Sequence, residues 1–177
     1  YNAFDWNLIK ELKSKGVENF ILTIWSAPAW MKQNASEDYF MANALTWEAT
    51  DNRVDTAMYQ EYAENMVATV LAFKEKAGID LLGIGLQNEP AFCETYPSAI
   101  LSPDLFVKMI NIVGRRFVKE GIKCKLYMAE QVLGIGLYPW DAYLAAVQND
   151  PEAWKYCDTQ AVHGYAGDGI TAYTANC

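Results

Sequence analysis

A chain of 177 residues can fold as one domain with a real core, and an apolar content of 52% excludes disorder. A formal charge of −8 argues against nucleic acid and anionic membranes as partners, since their phosphates require a basic face, and leaves neutral, hydroxyl-rich ligands open. No run of about 18 uninterrupted apolar residues occurs, so no membrane-spanning helix is expected.

Helix and strand patterns alternate along the chain. Residues 3–15 read as a helix, with Phe4, Leu8, Ile9 and Leu12 on one stripe and Gly16 just past the end. Phe20 to Trp25 is a near-continuous apolar run, the mark of a strand covered on both faces. The loop from Ser26 to Asp55 is too long to be a mere connector and lies on the strand C-terminal side. Residues 56–76 form the clearest helix. Tyr59, Tyr62, Ala63, Met66, Val70 and Phe73 recur there at helical spacing, as a core stripe, and Gly78 follows. Residues 79–86 read as the next buried strand. Ser102-Pro103-Asp104 is a strong helix start, with a hydroxyl at the N-cap, proline at N1 and an acid in the first turn. That helix carries Leu105, Phe106, Met109, Ile110, Val113 and Phe117 and stops before Gly121. Lys123 to Met128 is a third strand. Pro139 opens a helix through Val147, Asp150-Pro151 starts a short one, and Thr159 to His163 is a fourth strand.

This order predicts an α/β fold with a parallel sheet and right-handed crossovers. Two forms compete: the middle of a (β/α)8 barrel, or an open doubly wound sheet. Gly83-Ile84-Gly85-Leu86-Gln87-Asn88 breaks the phosphate-binding G-x-G-x-x-G pattern at its last position. No linker or low-complexity tract interrupts the chain, so residues 1–177 read as part of one domain. It begins at Tyr1 with no basic-then-apolar leader and no Met, and ends at Cys177 in mid-pattern, as expected of an internal piece of a longer protein.

Cys93, Cys124, Cys157 and Cys177 form no C-x-x-C pair, and His163 is the single histidine, so no structural zinc site is expected. Free thiols are the expectation, with Cys124 in a strand and in the core. The sequon Asn34-Ala35-Ser36 decides little.

Glu89 carries the strongest functional signal. It lies in Leu86-Gln87-Asn88-Glu89-Pro90, directly after a buried strand, and Pro90 biases it toward an extended backbone. Strand C-termini are where α/β folds keep their chemistry. Glycoside cleavage needs two carboxyls flanking the scissile bond, one of them a proton donor with a raised pKa. Glu89 fits the donor, and Asn88 is a neutral amide at the same rim that can bond a ring hydroxyl.

Three motifs in order carry a family resemblance: Ser26-Ala27-Pro28-Ala29-Trp30-Met31-Lys32 after one strand, Leu86-Gln87-Asn88-Glu89-Pro90 after the next, and His163-Gly164-Tyr165 after a later one. Together they resemble glycoside hydrolase family 30, retaining (β/α)8 enzymes that include glucosylceramidase-like, xylanase-like and β-1,6-glucanase-like members. The likeness runs over essentially the whole chain. It implies a partial (β/α)8 TIM barrel, about strands three to six. Glu89 would be the general acid/base at the end of the fourth strand. Asn88 would bond the sugar 2-hydroxyl. Trp30 would form a floor or wall of the reacting subsite, and Tyr96 would be a loop aromatic beyond the acid/base. Glu130 and Gln131, after the fifth strand, and His163 and Tyr165, after the sixth, would line the pocket. The nucleophile, a Glu at the end of the seventh strand in this family, is absent, and the piece alone is expected to be inactive. Asp168 reads as a turn residue. Met31 and Lys32 read as structural.

The resemblance implies a carbohydrate substrate, the rest of its own barrel as partner, no metal or organic cofactor, and a secreted or periplasmic full-length protein. Each site residue has a bland alternative: a packing tryptophan, a folded-back loop tyrosine, a satisfied strand-end histidine, a salt-bridged rim acid. A catalytically silent sugar-binding protein on the same barrel is the second reading, because folds do not fix functions. An open-sheet hydrolase would need a nucleophile elbow, and no Gly-x-Ser-x-Gly is present.

Overall fold

In the computed structural model, residues 4–33, 52–92, 96–132, 136–157 and 159–164 are described. Cys93, Tyr165, Asp168, Cys177 and the Asn34 sequon lie outside the described residues.

Four strands, β1 (Ile21–Thr23), β2 (Gly83–Gly85), β3 (Lys125–Val132) and β4 (Thr159–His163), pair in chain order, all parallel. Helix α1 (Trp6–Ser14) precedes β1. Helix α2 (Tyr59–Ala77) connects β1 to β2, α3 (Pro103–Lys119) connects β2 to β3, and α4 (Trp140–Gln148) and α5 (Ala153–Tyr156) connect β3 to β4. A doubly wound sheet would reverse its strand order at a switch point. Chain-order parallel strands separated by helices make this a piece of a (β/α)8 barrel instead.

The helix ends follow from local chemistry. Asp5 caps α1, its Oδ1 accepting from the Asn7 and Leu8 N–H groups. Gly78 ends α2 at φ +64, a left-handed position in which its N–H bonds the Lys74 carbonyl and Ile79 N–H bonds the Phe73 carbonyl. Asp150 Oδ1 accepts from Glu152 and Ala153 N–H ahead of α5. Ser102 caps α3, its Oγ accepting from Leu105 N–H at 3.4 Å, with Pro103 at N1. That bond is long, so Ser102→Ala should cost about 0.5–1 kcal/mol, the low end for a lost cap. A urea midpoint lowered at unchanged m-value would show it.

The core lies between the outer face of the sheet and the helices. Tyr62, Met66, Phe106, Met109 and Ile110 pack with Ile84, Leu126 and Met128 of the strands. The predicted core stripe from Tyr59 to Phe73 is buried throughout. Gly83 and Gly85 alternate with Ile84, and the reason is spatial. The Tyr127 ring lies over both glycines: an added Cβ would come within 3.2 Å of it at Gly83 and 2.6 Å at Gly85. The motif makes room for an aromatic ring, not for a phosphate.

Several expectations are corrected. Strands β1 and β2 span three residues each, shorter than the apolar runs that contain them. Strand β1 is not covered on both faces: Ile21, which shares the parity of Thr23 on the inner face, is 67% exposed. Strand β3 continues past Met128 to Val132, so Glu130 and Gln131 stand within it, not after it. Cys124 precedes β3 and is half-buried, with burial pushing its thiol up to about 12, which keeps it protonated and unreactive. Cys157 is buried and forms no disulfide among the described residues.

Candidate active site

The rim at the strand C-termini gathers Asn88, Glu89, Glu130 and His163. Asn88 is hydrogen-bonded through its N–H to the Ile24 carbonyl at 2.7 Å and forms an isolated parallel bridge with Glu130. Glu89 N–H donates to the Glu130 carbonyl at 3.1 Å. The chain leaves β2 by pairing once more on each side before it turns. At the turn Glu89 has φ +43, and Phe92 N–H bonds back to its carbonyl at 2.8 Å. The expected extended backbone is therefore corrected. The two flanking pairings and the turn hold Glu89 in the left-handed region, which costs a non-glycine residue on the order of 1–3 kcal/mol. The strain turns its side chain inward, where the residue is 3% exposed.

His163, the last residue of β4, places its Nδ1 2.6 Å from Glu89 Oε1. Its Nε2 lies 3.8 Å from Glu130 Oε2, too far for a hydrogen bond. Glu130 Oε2 is bonded instead to the Thr23 hydroxyl at 2.8 Å, and burial raises the Glu130 pKa against the opposing pull of Thr23, His163 and Tyr127.

Strand alternation would turn Glu130 toward the helices, since Tyr127 faces inward and Met128 outward. A bulge reverses this. Met128 pairs with Gln160 and Gln131 with Val162, so β3 holds one residue more than β4 between these points. The extra residue brings the Glu130 side chain back to the inner face, beside Thr23. Gly85 leaves the space it occupies, for an added Cβ there would sit 2.2 Å from Glu130 Oε1.

The other predicted residues are spread around this centre. Gln131 is fully buried, with its Oε1 accepting from Ala91 N–H at 2.9 Å beneath the loop that follows Glu89. Trp30 lies in a 3-10 turn over Ala29–Met31 and is 64% exposed. Lys32 is buried and donates to the Ser98 carbonyl at 2.7 Å, anchoring that loop. Tyr96 is 41% exposed, and its ring lies 5.4 Å from that of Trp25. Trp25 is a further candidate that the sequence motifs did not single out. It stands two residues after Thr23, whose side chain points inward, and so shares its parity along the strand. Gln87 Nε2 holds its carbonyl at 2.7 Å, and the residue is 49% exposed. Strand parity counted from Thr23 was the available signal. Reading the whole run as buried on both faces concealed it.

Comparison with known proteins bears on this arrangement. No protein-family model matches the chain. A putative glucosylceramidase 3 from Caenorhabditis elegans is 27% identical over 158 residues, covering 86% of this chain. The solved glycoside hydrolase family 30 subfamily 8 xylanase Xyn30A from Clostridium acetobutylicum superposes with a TM-score of 0.74 at 21% identity, over 93% of this chain and 38% of its own. The endo-β1,6-glucanase BT3312 superposes with a TM-score of 0.78 at 21% identity, over 98% of this chain and 38% of its own. By sequence the chain is similar to a putative glucosylceramidase, and by fold to solved family 30 enzymes. The chain spans 28% of the curated relative's length and 38% of each of these two solved chains. Among the described residues no helix is long and apolar enough to cross a membrane.

Proposed function

We propose that residues 1–177 form the central part of one (β/α)8 catalytic domain that hydrolyses β-glycosidic bonds with retention. In this reading Glu89 is the general acid/base, and a carboxylate from sequence outside these residues is the nucleophile. The observation that carries it is the Glu89–His163 pair: a buried carboxyl on a strained strand-end turn, bonded at 2.6 Å to an imidazole. Strain at such a position is retained where the surrounding structure holds a group for chemistry.

The reaction follows in two steps. Glu89 gives its proton to the glycosidic oxygen as the C–O bond breaks, while the nucleophile attacks the anomeric carbon and forms a covalent glycosyl-enzyme. Glu89, now a carboxylate, takes a proton from water as that water displaces the nucleophile, which restores both groups. His163 Nδ1 can accept from Glu89 while that carboxyl is protonated and donate to it once it is ionised, so the pair tolerates both states. Asn88 bonds the sugar 2-hydroxyl, Trp30 walls the subsite, and Tyr96, with Trp25, offers aromatic faces for a sugar ring. Gln131, Glu130 and Tyr165 complete the surroundings. The substrate is a carbohydrate, and the similar proteins, a putative glucosylceramidase, a xylanase and an endo-β1,6-glucanase, do not choose among carbohydrates.

The test is a panel of aryl β-glycosides and β-glycans offered to the full-length protein, with the first-formed anomer read by NMR. Cleavage with β-anomer appearing first is expected. Binding without cleavage across the panel would favour a silent sugar-binding barrel, and α-anomer appearing first would overturn retention.

A further inference from the structure

Glu130, Thr23 and Tyr127 form a chain of contacts whose protons can be counted. Glu130 Oε2 is 2.8 Å from Thr23 Oγ1, Thr23 Oγ1 is 3.0 Å from the Tyr127 hydroxyl oxygen, and that oxygen is 2.5 Å from the Leu22 carbonyl. Each contact needs one proton between its two oxygens. The Leu22 carbonyl has none, so Tyr127 donates its only proton there. Thr23 must then supply the contact with Tyr127, which uses the only proton Thr23 has. The remaining contact, with Glu130, has a proton only if the carboxyl brings one. An ionised Glu130 would take Thr23's proton and leave Thr23 and Tyr127 lone pair against lone pair at 3.0 Å.

Two further observations agree. Glu130 Oε1 is buried with no hydrogen-bond partner among the described residues. Half of a carboxylate charge stranded there would be far more costly than the carbonyl oxygen of a neutral acid. Burial also raises the pKa of this carboxyl. The titratable groups that face it are Tyr127 from β3 and His163 from β4, with Glu89 on the far side of the imidazole.

We propose that Glu130 is a positioning residue kept as a neutral carboxylic acid, its proton donated to Thr23 and onward through Tyr127 to the Leu22 carbonyl, which leaves Glu89 as the carboxyl that exchanges a proton with His163. An anionic Glu130 would compete for that imidazole and hold it as a cation between two carboxylates, drawing the shared proton away from Glu89. The consequence for Glu89 rests on the glycosidase reading above. The protonation of Glu130 does not, so the two fail separately.

Infrared difference spectra of the full-length protein test the protonation. They compare protein with and without Glu130→Gln at neutral pH, both in a Glu89→Gln background that silences the second acid. One carbonyl stretch of a neutral carboxylic acid should be present and vanish with Glu130→Gln. In Thr23→Val that band should move to higher frequency, because the acid loses its acceptor; this variant carries the test if Glu130→Gln does not fold. Carboxylate bands in place of the acid band would overturn the proposal. Stability gives a second reading. A group whose folded pKa is raised contributes fully below its ordinary value of 4.5 and loses that contribution as pH rises through the folded pKa. The parent should therefore lose stability relative to Glu130→Gln over that interval, and parallel curves would contradict the proposal. If the protein cleaves glycosides, the limbs of the kcat/KM pH profile of Glu130→Gln should move by less than about half a pH unit. A larger downward shift of the alkaline limb would mean that a negative charge had been removed, and that Glu130 was ionised.

Discussion

Glu89→Gln should lower kcat/KM of the full-length protein on substrates with poor leaving groups by about 10²–10⁴-fold, the usual contribution of a positioned proton donor. The substitution is nearly isosteric, and an amide can still bond His163 Nδ1 in place of the carboxyl that now lies 2.6 Å away. The turn at Glu89 is fixed by backbone bonds to the Glu130 carbonyl and from Phe92 N–H, which the variant leaves intact. Fold and affinity should survive while the proton is lost. An activated aryl leaving group departs without full protonation, so the first step on such substrates should be nearly spared. The second step still needs a base. Activated substrates should therefore accumulate the glycosyl-enzyme, and azide, which needs no deprotonation to attack, should restore turnover. Steady-state rates across a series of aryl leaving groups, with and without azide, decide the matter. Equal loss across the series with no azide effect would remove Glu89 from the acid/base role.

Gly85→Ala should be the most destabilising small substitution near the site. The added Cβ would sit 2.2 Å from Glu130 Oε1, 2.6 Å from Tyr127 Cε2 and 3.0 Å from Tyr127 Cζ. Neither side chain can retreat easily. Tyr127 is tied to the Leu22 carbonyl at 2.5 Å, and Glu130 to Thr23 at 2.8 Å. Overpacking of this kind costs about 1–3 kcal/mol, and the upper end is expected because two anchored side chains must move together. The lower entropy of an unfolded alanine returns only about 0.4–1 kcal/mol. Gly83→Ala serves as the comparison: its Cβ would meet Tyr127 Cδ1 at 3.2 Å, a contact that a small ring shift relieves. Denaturant unfolding of the two variants should rank Gly85→Ala well below Gly83→Ala. Equal stabilities would mean that the inner face of β2 is looser than the glycine contacts imply.

The helices were legible because their signals are local. Ser102-Pro103 opens α3, Gly78 closes α2, and the stripe from Tyr59 to Phe73 faces the core by spacing alone. The strands were legible as apolar runs but not in their extent. Strand length depends on pairing partners that lie tens of residues away, and a run such as Phe20 to Trp25 does not state how much of itself is paired. Glu89 stood out through its neighbours in sequence, Asn88 and Pro90. Its left-handed backbone did not, because that conformation is imposed by β1 and β3 on either side.

The sequence by itself determined the alternation of helix and strand, which follows from spacing within short windows, and it singled out Glu89 as the candidate proton donor through motifs that resemble those of a sugar-cleaving barrel. The tertiary structure alone decided which way Glu130 faces, what bonds its carboxyl, and why residues 83 and 85 are glycines. One extra residue in β3 reverses the side-chain parity of everything after it, and the partners so engaged, Thr23 and His163, come from strands far away in the chain. A carboxyl written as a rim acid in the sequence thus becomes part of a buried hydrogen-bond chain only when three strands are laid side by side.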